Sequence, residues 1–230
     1  TWEGEESNEM RSKNGVEGFF GGDRTKIELP EIQLNALKAI NKTGTPVVFV
    51  LLAGSAISFN GLEQELDAIL AAWYPGQRGG DAVADVLFGN YNPAGRLPVT
   101  FYSSTDELAD FEDYNMRAGN GFTYRYYNGD AMYPFGHGIS YTKFKYSDLT
   151  VSKTRLNNSD ELFVTINVKN SGELDGEEVV QLYIKDIEST TWMPHKQLRG
   201  FKGISLKKGE KKMVEFKLNV SKDLRYYDAT

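Results

Sequence analysis

Hydrophobic residues recur at helical spacing just after a polar N-terminal stretch. Residues 30–42 predict a helix, because Pro30 and Glu31 suit a first turn and Thr43-Gly44 ends the periodic pattern. The apolar face predicted for this helix consists of Ile32, Ala36, Leu37 and Ile40.

Two continuous apolar runs follow this helix and have a different pattern. Val47–Ala53 and Asp67–Trp73 lack polar alternation, which is typical of parallel strands buried on both faces. A short helix over Leu62–Leu66 is predicted between them. Strands that alternate with helices in this way predict a layered α/β domain.

The most patterned stretch of the chain is Trp73–Phe101, WYPGQRGGDAVADVLFGNYNPAGRLPVTF. Its middle predicts a helix that ends at Gly89, with an apolar stripe of Val83, Val86 and Leu87. Asn92-Pro93 and Gly95 then predict a turn into a strand over Leu97–Phe101, the third strand of the domain.

Residues 103–140 have no sustained period and are rich in Gly, Tyr and Asn. They predict a long crossing segment, and such segments are often functional or packed between domains. Its tyrosines could cap an interface or line a binding cleft, and we favour packing.

From Phe144 onward the pattern changes to a period of two, as in half-buried strands. Turn signals separate the predicted strands at Asn157-Asn158-Ser159, Asn170-Ser171-Gly172 and Lys208-Gly209-Glu210. The spacing predicts a β-sandwich of immunoglobulin or fibronectin type III kind. The strand segments are 163–169, 179–184, 198–206, 213–218 and 224–227.

These patterns predict two domains of different class. We expect an α/β sandwich domain over residues 1–120, a linker over 121–143 and an all-β, fibronectin-III-like domain over 144–230. The last domain stops where a sandwich would have a further strand, so we expect truncation at its C-terminus. The chain begins without Met inside polar sequence, so we expect it to be part of a longer polypeptide.

Composition narrows the function classes. A net charge of −6 without a Lys/Arg cluster argues against a nucleic-acid partner, and no apolar run reaches the roughly 20 residues needed to cross a membrane. The presence of only two His and no Cys argues against a metal site built from these residues. The glycine motifs that bind phosphate groups, GxGxxG and GxxxxGK(S/T), do not occur in the sequence. We therefore expect no metal and no organic cofactor.

Residues 1–29 are polar and Gly-rich and predict a loop. Carboxylates cluster there at Glu3, Glu5, Glu6 and Glu9. From composition alone a solvated acidic tail is favoured, although functional side chains often lie on such loops.

Several segments, in order, resemble the C-terminal half of a family 3 glycoside hydrolase, the family of β-glucosidases and β-xylosidases. They are DRTKIELP, TGTPVVFV, DAILAAWYPGQRGGDAVADVLFGNYNPAGRLPVTFY, PFGHGISYTKFKYS, GEEVVQLYIKD and KQLRGFKGISLKKGE. The resemblance implies an exo-acting, retaining β-glycosidase that acts on β-linked oligosaccharides or glycosides. It also implies an N-terminal barrel domain that this chain lacks, and a periplasmic or secreted location.

The resemblance further implies a catalytic residue on the N-terminal loop. In this family the nucleophile is an Asp of the missing barrel, and the general acid/base is a Glu on a loop before an Asp-Arg pair, here Asp23-Arg24. The EGEE segment favours Glu5, with Glu6 as its neighbour, whereas the spacing of VEGFFGGDR favours Glu17. Asp23 and Arg24 are expected to form an ion pair that shapes the loop.

Two function classes follow. The chain is either the part of a glycosidase that supplies the general acid/base, or a non-catalytic carbohydrate-binding or structural packing module of a multidomain glycosidase. The Glu3–Glu6 cluster favours the first, because a packing module does not need it. Without the nucleophile, the chain alone is expected to be inactive.

Overall fold

The computed structural model describes residues 18–20, 23–189 and 191–225. They form two compact units, each discontinuous in sequence: unit 1 extends to Leu87 and includes Pro98–Phe135, and unit 2 comprises Phe88–Leu97 and the residues from Gly136 onward. These breaks differ from the boundaries predicted at 120 and 143. The predicted domains stay a prediction, since backbone contacts do not measure independent folding.

Unit 1 contains the α/β elements. They are the short strands β1 (Phe19–Phe20) and β2 (Asp23–Arg24), helix α1 (Glu31–Asn41), strands β3 (Val48–Leu51) and β4 (Ala68–Ala71), and helices α2 (Gly79–Leu87) and α3 (Thr123–Tyr126). Strands β3 and β4 pair in parallel, with Val48 opposite Ala68 and Leu51 opposite Ala71. The predicted parallel arrangement is thus confirmed, and a 3₁₀ turn stands where the short helix was predicted.

Helix α1 has the predicted length but not the predicted inner face. Ile32 and Ile40 are 79% and 51% exposed, whereas Leu34 is buried. The prediction of the face was wrong because an 11-residue helix carries two apolar stripes at helical spacing, and only packing decides which one faces the core. Burial of β3 is also less complete than predicted, since Val48 lies exposed at its start.

The third strand predicted for this domain, over Leu97–Phe101, does not form. Phe101 makes only an isolated antiparallel bridge with Tyr133, and Leu97 exchanges backbone hydrogen bonds with the Gly136–His137 segment. Pro98 lies between these two contacts and has no N–H to donate, so a continuous ladder is interrupted.

Unit 2 contains a β-sandwich, as predicted. Strands β5 (Phe144–Val151), β6 (Glu161–Asn170) and β9 (Lys211–Asn219) form one antiparallel sheet, and β7 (Gly176–Ile184) pairs with β8 (Gln197–Leu206) in another. The inner faces of both sheets contribute to one core cluster. Its buried members are Leu162, Val164, Val168, Val180, Leu206, Val214, Phe216 and Leu218.

The last predicted strand covers residues 224–227, and its two described residues, Leu224 and Arg225, are not in a strand. After β9 the chain forms the single helical turn α4 (Val220–Asp223), and Leu224 caps it. The Asn219 side chain accepts a hydrogen bond from the Lys222 amide, which stabilises this turn. Residues 226 and 227 lie outside the described residues.

Candidate active site

The three carboxylates proposed from sequence, Glu5, Glu6 and Glu17, all lie outside the described residues. The described residues begin at Gly18, immediately after Glu17.

A short antiparallel pair of strands stands at the start of the described residues. Strands β1 and β2 pair antiparallel, with Phe19 opposite Arg24, and the Thr25 amide donates a 2.8 Å hydrogen bond to the Gly18 carbonyl. Gly18 has φ of +85°, a conformation that favours glycine. The β1–β2 pair, extended by this bond to Gly18, therefore begins directly after residues 1–17.

Arg24 connects this hairpin to the parallel sheet. Its Nη1 donates a 2.9 Å hydrogen bond to Ser55 Oγ, and its Nε donates to the Lys26 carbonyl at 3.2 Å. Ser55 stands four residues beyond the end of β3. The ion pair predicted between Asp23 and Arg24 stays a prediction, because the Asp23 side chain is not described.

The carboxyl ends of β3 and β4 form the edge to which Arg24 is joined. Gly54 and the Tyr74 ring are in close contact at this edge, since a Cβ atom at Gly54 would lie 2.6 Å from Tyr74 Cε2. Trp73 has φ of +52°, a strained conformation for a bulky residue, and its ring packs edge-on against Phe101 at 6.3 Å. Ligands of open α/β sheets bind outside this edge.

Glu28 is the described carboxylate nearest in sequence to the hairpin, and its geometry excludes it as a general acid. The Thr105 amide and hydroxyl each donate a 2.6 Å hydrogen bond to a different oxygen of Glu28. Burial raises the pKa of Glu28, but the hydrogen bonds from Thr105, together with the Glu28 backbone amide and the Lys26 charge, outweigh burial and bring this pKa below its usual value. Glu28 is thus ionised and held as a structural anchor, a role that the motif DRTKIELP did not reveal.

The crossing segment uses its tyrosines mainly for packing, as favoured from sequence. The Tyr127 hydroxyl donates to Glu107, the Tyr102 and Tyr127 rings pack edge-to-face at 4.9 Å, and Tyr124 stacks on Phe135 at 4.3 Å. Burial and then the Glu107 hydrogen bond raise the pKa of Tyr127, which keeps its hydroxyl protonated as a donor. Tyr114 is an exception among these tyrosines because it is 88% exposed, and the nearby Phe111 is 91% exposed.

Unit 2 contains a separate polar cluster, to which the Phe88–Leu97 segment contributes Arg96. Arg96 Nη2 forms a 2.8 Å ion pair with Glu178 Oε2, and these side chains are only 12% and 9% exposed. Burial and a hydrogen bond with Glu178 raise the pKa of Tyr146, while burial and the Arg96 charge lower the pKa of His137. Since the buried charges of Arg96 and Glu178 pair with each other, this cluster is a structural anchor.

The Asn92 side chain completes that anchor. Its oxygen accepts hydrogen bonds from Ser140 Oγ and the Tyr141 amide, both at 2.8 Å, and its nitrogen donates to the Asp175 carbonyl at 2.9 Å. The turn NPAGRLP is therefore bound to the β-sandwich by both Asn92 and Arg96. The sequence had indicated only that this stretch forms a turn.

Neither a metal site nor a membrane span is found among residues 18–20, 23–189 and 191–225. No group of three or more His, Cys, Asp or Glu in these ranges could hold a metal ion. None of the helices in the same ranges is long and apolar enough to cross a membrane.

Comparison with known proteins agrees with this architecture. The model of the glycosyl hydrolase family 3 C-terminal domain matches residues 2–141, and the model of the fibronectin type III-like domain matches residues 178–230. The chain belongs to glycosyl hydrolase family 3. The family 3 model thus includes both the acidic loop and the carboxyl edge of β3 and β4.

Individual relatives of this family 3 chain are enzymes several times its length. It is 46% identical to a xylan 1,4-β-xylosidase of Xylanibacter ruminicola, over 93% of this chain and 24% of that protein. It is 38% identical to a periplasmic β-glucosidase of Salmonella typhimurium, over 86% of this chain and 27% of that protein. The chain thus spans about a quarter of the length of these relatives.

A solved structure supports the fold as well. The β-glucosidase EmGH1 of Erythrobacter marinus superposes with a TM-score of 0.80 at 36% identity, over 96% of this chain and 29% of that one. The fold expected from sequence, an α/β domain and a fibronectin-III-like β-sandwich, is thus confirmed.

Proposed function

We propose that this chain is the part of an exo-acting, retaining β-glycosidase that supplies the general acid/base. The substrates are β-linked oligosaccharides or glycosides, attacked at the non-reducing end by an enzyme of β-xylosidase or β-glucosidase type. The N-terminal barrel domain of the same enzyme is the proposed partner and the source of the Asp nucleophile. The location that we propose is periplasmic or secreted.

The observation that supports this proposal is that the chain directly after residues 1–17 is bound, through Arg24, to the carboxyl edge of the parallel sheet. A retaining mechanism needs two carboxyl groups roughly 5–5.5 Å apart, one to attack the anomeric carbon and one to protonate the leaving oxygen. The β1–β2 pair and Arg24 place the described chain from Gly18 onward at the edge where α/β sheets bind ligands. This placement favours a role of the preceding carboxylates at a substrate site shared with another domain.

Glu5 is the acid/base that we propose, with Glu17 and Glu6 as the alternatives. Glu28 is a poorer candidate, because both of its oxygens are engaged by Thr105 and its lowered pKa leaves no proton to donate. The same carboxyl group first protonates the leaving oxygen and then, as a carboxylate, activates the water that releases the sugar.

The test compares Glu5→Gln, Glu6→Gln and Glu17→Gln in the intact enzyme, on aryl β-xylosides and aryl β-glucosides. The acid/base variant should lose roughly 10²- to 10⁴-fold in kcat/KM on a phenyl glycoside. It should lose far less on a dinitrophenyl glycoside, whose leaving group needs no proton, and azide should restore turnover by replacing the activated water. Loss at Glu17 alone would show that the assignment to Glu5 is wrong.

A non-catalytic role predicts a different result. If all three glutamine variants keep wild-type kcat/KM on the phenyl glycoside, the chain is a carbohydrate-binding or packing module. The chain by itself should have no measurable turnover on any of these substrates, because the nucleophile is on the barrel domain. Appreciable turnover by the isolated chain would contradict this division of the active site.

A further inference from the structure

The outer face of the sheet β5–β6–β9 carries a row of three lysines. Lys145 of β5 is directly opposite Lys169 of β6, and Lys169 is directly opposite Lys211 of β9. Residues paired in this way share one face of a sheet, and the neighbours of Lys169 in β6, Val168 and Asn170, are fully buried. The three lysine side chains therefore lie on the face away from the core, where all three residues are exposed.

This row is electrostatically unfavourable for the sheet itself. Like charges directly opposite each other destabilise paired strands, whose opposed Cα atoms are only about 4.5–5.5 Å apart. Among the described residues, Lys145 and Lys169 have no ion-pair partner, and Lys211 has the exposed Asp148 carboxylate at 3.3 Å. An exposed pair of this kind contributes little, so the row keeps an excess of positive charge on a chain whose net charge is −6.

Uncharged groups occupy the rows next to the lysines on the same face. Ser147 is opposite Asn167, which is in turn opposite the exposed Met213, and Thr150 is opposite Thr165. The Thr150 and Thr165 hydroxyls are joined by a 2.6 Å hydrogen bond, which leaves one hydroxyl proton and several lone pairs for a ligand. The face thus combines positive charge with groups that can bind hydroxyls.

We propose that this surface binds an acidic polysaccharide, a polymer of sugars that carries uronic-acid carboxylates. We call it the lysine face, made of Lys145, Lys169 and Lys211 together with the two polar rows beside them. The lysines bind the carboxylates, and the hydroxyl and amide groups bind the hydroxyls of the sugars. This surface goes beyond the proposed function, since it does not depend on which carboxylate is the acid/base.

A nucleic acid fits the lysine face less well than a polysaccharide does. Duplex DNA carries one charge per about 1.7 Å of its axis, whereas the three lysines are separated by the strand spacing of roughly 4.7–4.9 Å. Glu215, opposite Thr165 on the same face, and the net charge of −6 would repel so dense an anion. A uronic-acid polymer instead presents fewer carboxylates with neutral hydroxyls between them, as the lysine face requires.

The experiment measures equilibrium binding of the intact enzyme to immobilised polygalacturonate and to the same polymer with methyl-esterified carboxylates. The wild type should bind the acidic polymer at about 0.02 M NaCl and lose most of this binding at about 0.5 M NaCl, because salt screens exposed charges. It should bind the esterified polymer at least roughly 10-fold more weakly. Lys169→Gln should weaken binding roughly 2- to 5-fold, and glutamine at all three lysines roughly 10- to 100-fold.

The matched control variant has glutamine in place of Lys38, Lys42 and Lys185. These lysines are exposed and lie outside the sheet β5–β6–β9, and their removal changes the net charge by the same amount. The control should keep an affinity close to that of the wild type. Equal losses in the two triple variants would show that net charge governs binding, and would overturn the proposal.

Stability separates a binding role of the row from a structural one. Because the opposed lysines repel each other, Lys169→Gln should leave the unfolding temperature unchanged or raise it at low salt. A lower unfolding temperature in the variants that lose affinity would assign the loss to damage of the sheet, and would count against the proposal.

The identity of the bound polymer is tested in the same assay. Failure of the wild type to bind polygalacturonate, or equal binding to its methyl ester, would overturn the proposal. Binding to double-stranded DNA or phosphatidylserine vesicles would overturn it as well, if it is at least as tight and is equally lost in the Lys145, Lys169 and Lys211 triple variant.

Discussion

Two arginines attach loops to the scaffold in the two units, and they do so with different chemistry. Arg96 is almost fully buried and forms an ion pair with the equally buried Glu178, while its Nη1 also donates to the carbonyls of Ala94 and Gly95. Arg24 is half-buried, and the contact that joins it to the sheet is with the neutral hydroxyl of Ser55.

This difference in burial and charge indicates that the Arg96 and Arg24 contacts have different roles. Removing one partner of a buried ion pair leaves an uncompensated charge, so the Arg96–Glu178 contact makes the NPAGRLP turn a fixed part of unit 2. A hydrogen bond from a half-buried guanidinium to a hydroxyl stabilises the fold less than such an ion pair, because losing the hydroxyl removes no counter-charge. We therefore expect substitutions at the two anchors to differ in their effect on stability.

The largest expected effect is the loss of stability on removing Glu178. Glu178→Ala should destabilise unit 2 by about 3–5 kcal/mol, because Arg96 then remains buried without its carboxylate. Hydrogen exchange of the β7 and β8 amides measures this locally. The control is Glu177→Ala on the same strand, whose exposed carboxylate bonds Ser205 and should cost no more than about 0.5 kcal/mol. Equal effects of the two variants would contradict the distinction.

A smaller effect is expected at the Glu28 anchor of unit 1. Thr105→Val keeps the backbone N–H but removes the hydroxyl that donates to Glu28 and accepts from the Ile27 amide, so it should cost about 1–2 kcal/mol at neutral pH. Thermal unfolding of Thr105→Val and of Thr105→Ser, which keeps the hydroxyl, measures it. Thr105→Ser should remain close to wild type, and an equal loss in both variants would assign the effect to the methyl group.

The pH dependence of the stability of Thr105→Val is a second test of this role of Glu28. The pKa of Glu28 is lowered in the folded state, so its stabilisation is fully present above the unfolded-state value of about 4.3. It is lost as the pH falls through the lower folded-state pKa. Thr105→Val should therefore lose less stability than wild type between neutral and acid pH, and parallel curves of unfolding temperature against pH would exclude this role of Glu28.

A further prediction concerns the charge of Arg96. Burial and this charge hold the pKa of His137 below its ordinary value, so Arg96→Met should raise that pKa. Titration of the His137 ring resonances by NMR, assigned with His137→Gln, checks the direction. Lys196→Met is the control, since Lys196 lies over the Tyr183 ring and should leave the His137 titration unchanged. An unchanged pKa in Arg96→Met would show that burial alone is responsible.

The smallest effect on stability is expected for an exposed ion pair of an arginine with an aspartate. Arg78 and Asp81 are joined at 2.8 Å, but their side chains are 85% and 64% exposed. Arg78→Ala should change the unfolding free energy by about 0.3–0.5 kcal/mol, and the difference should decrease at high salt. A loss comparable to that of Glu178→Ala would show that burial does not govern the strength of these anchors.

Much of the architecture could be predicted from local pattern. The bounds of α1, the strands β3 and β4, helix α2 ending before Gly89 and the strands β6 to β9 follow from periodicity and turn residues within windows of about ten positions. The strand predicted over Leu97–Phe101 is the counterexample, because it does not form. The resemblance to family 3, based on motifs in chain order, likewise needed no structure. The roles of Glu5, Glu6 and Glu17 stay predictions.

Local pattern and the order of the motifs were enough to predict most of the helices and strands and the resemblance to family 3. The side-chain partners became visible only in the folded chain: Leu34 rather than Ile32 faces the core, Thr105 binds Glu28, and Arg96 pairs with Glu178. The cause is the distance along the chain between the interacting residues. Backbone periodicity and turn chemistry act between near neighbours, whereas these last two contacts join residues 77 and 82 positions apart, and only the folded chain brings them together.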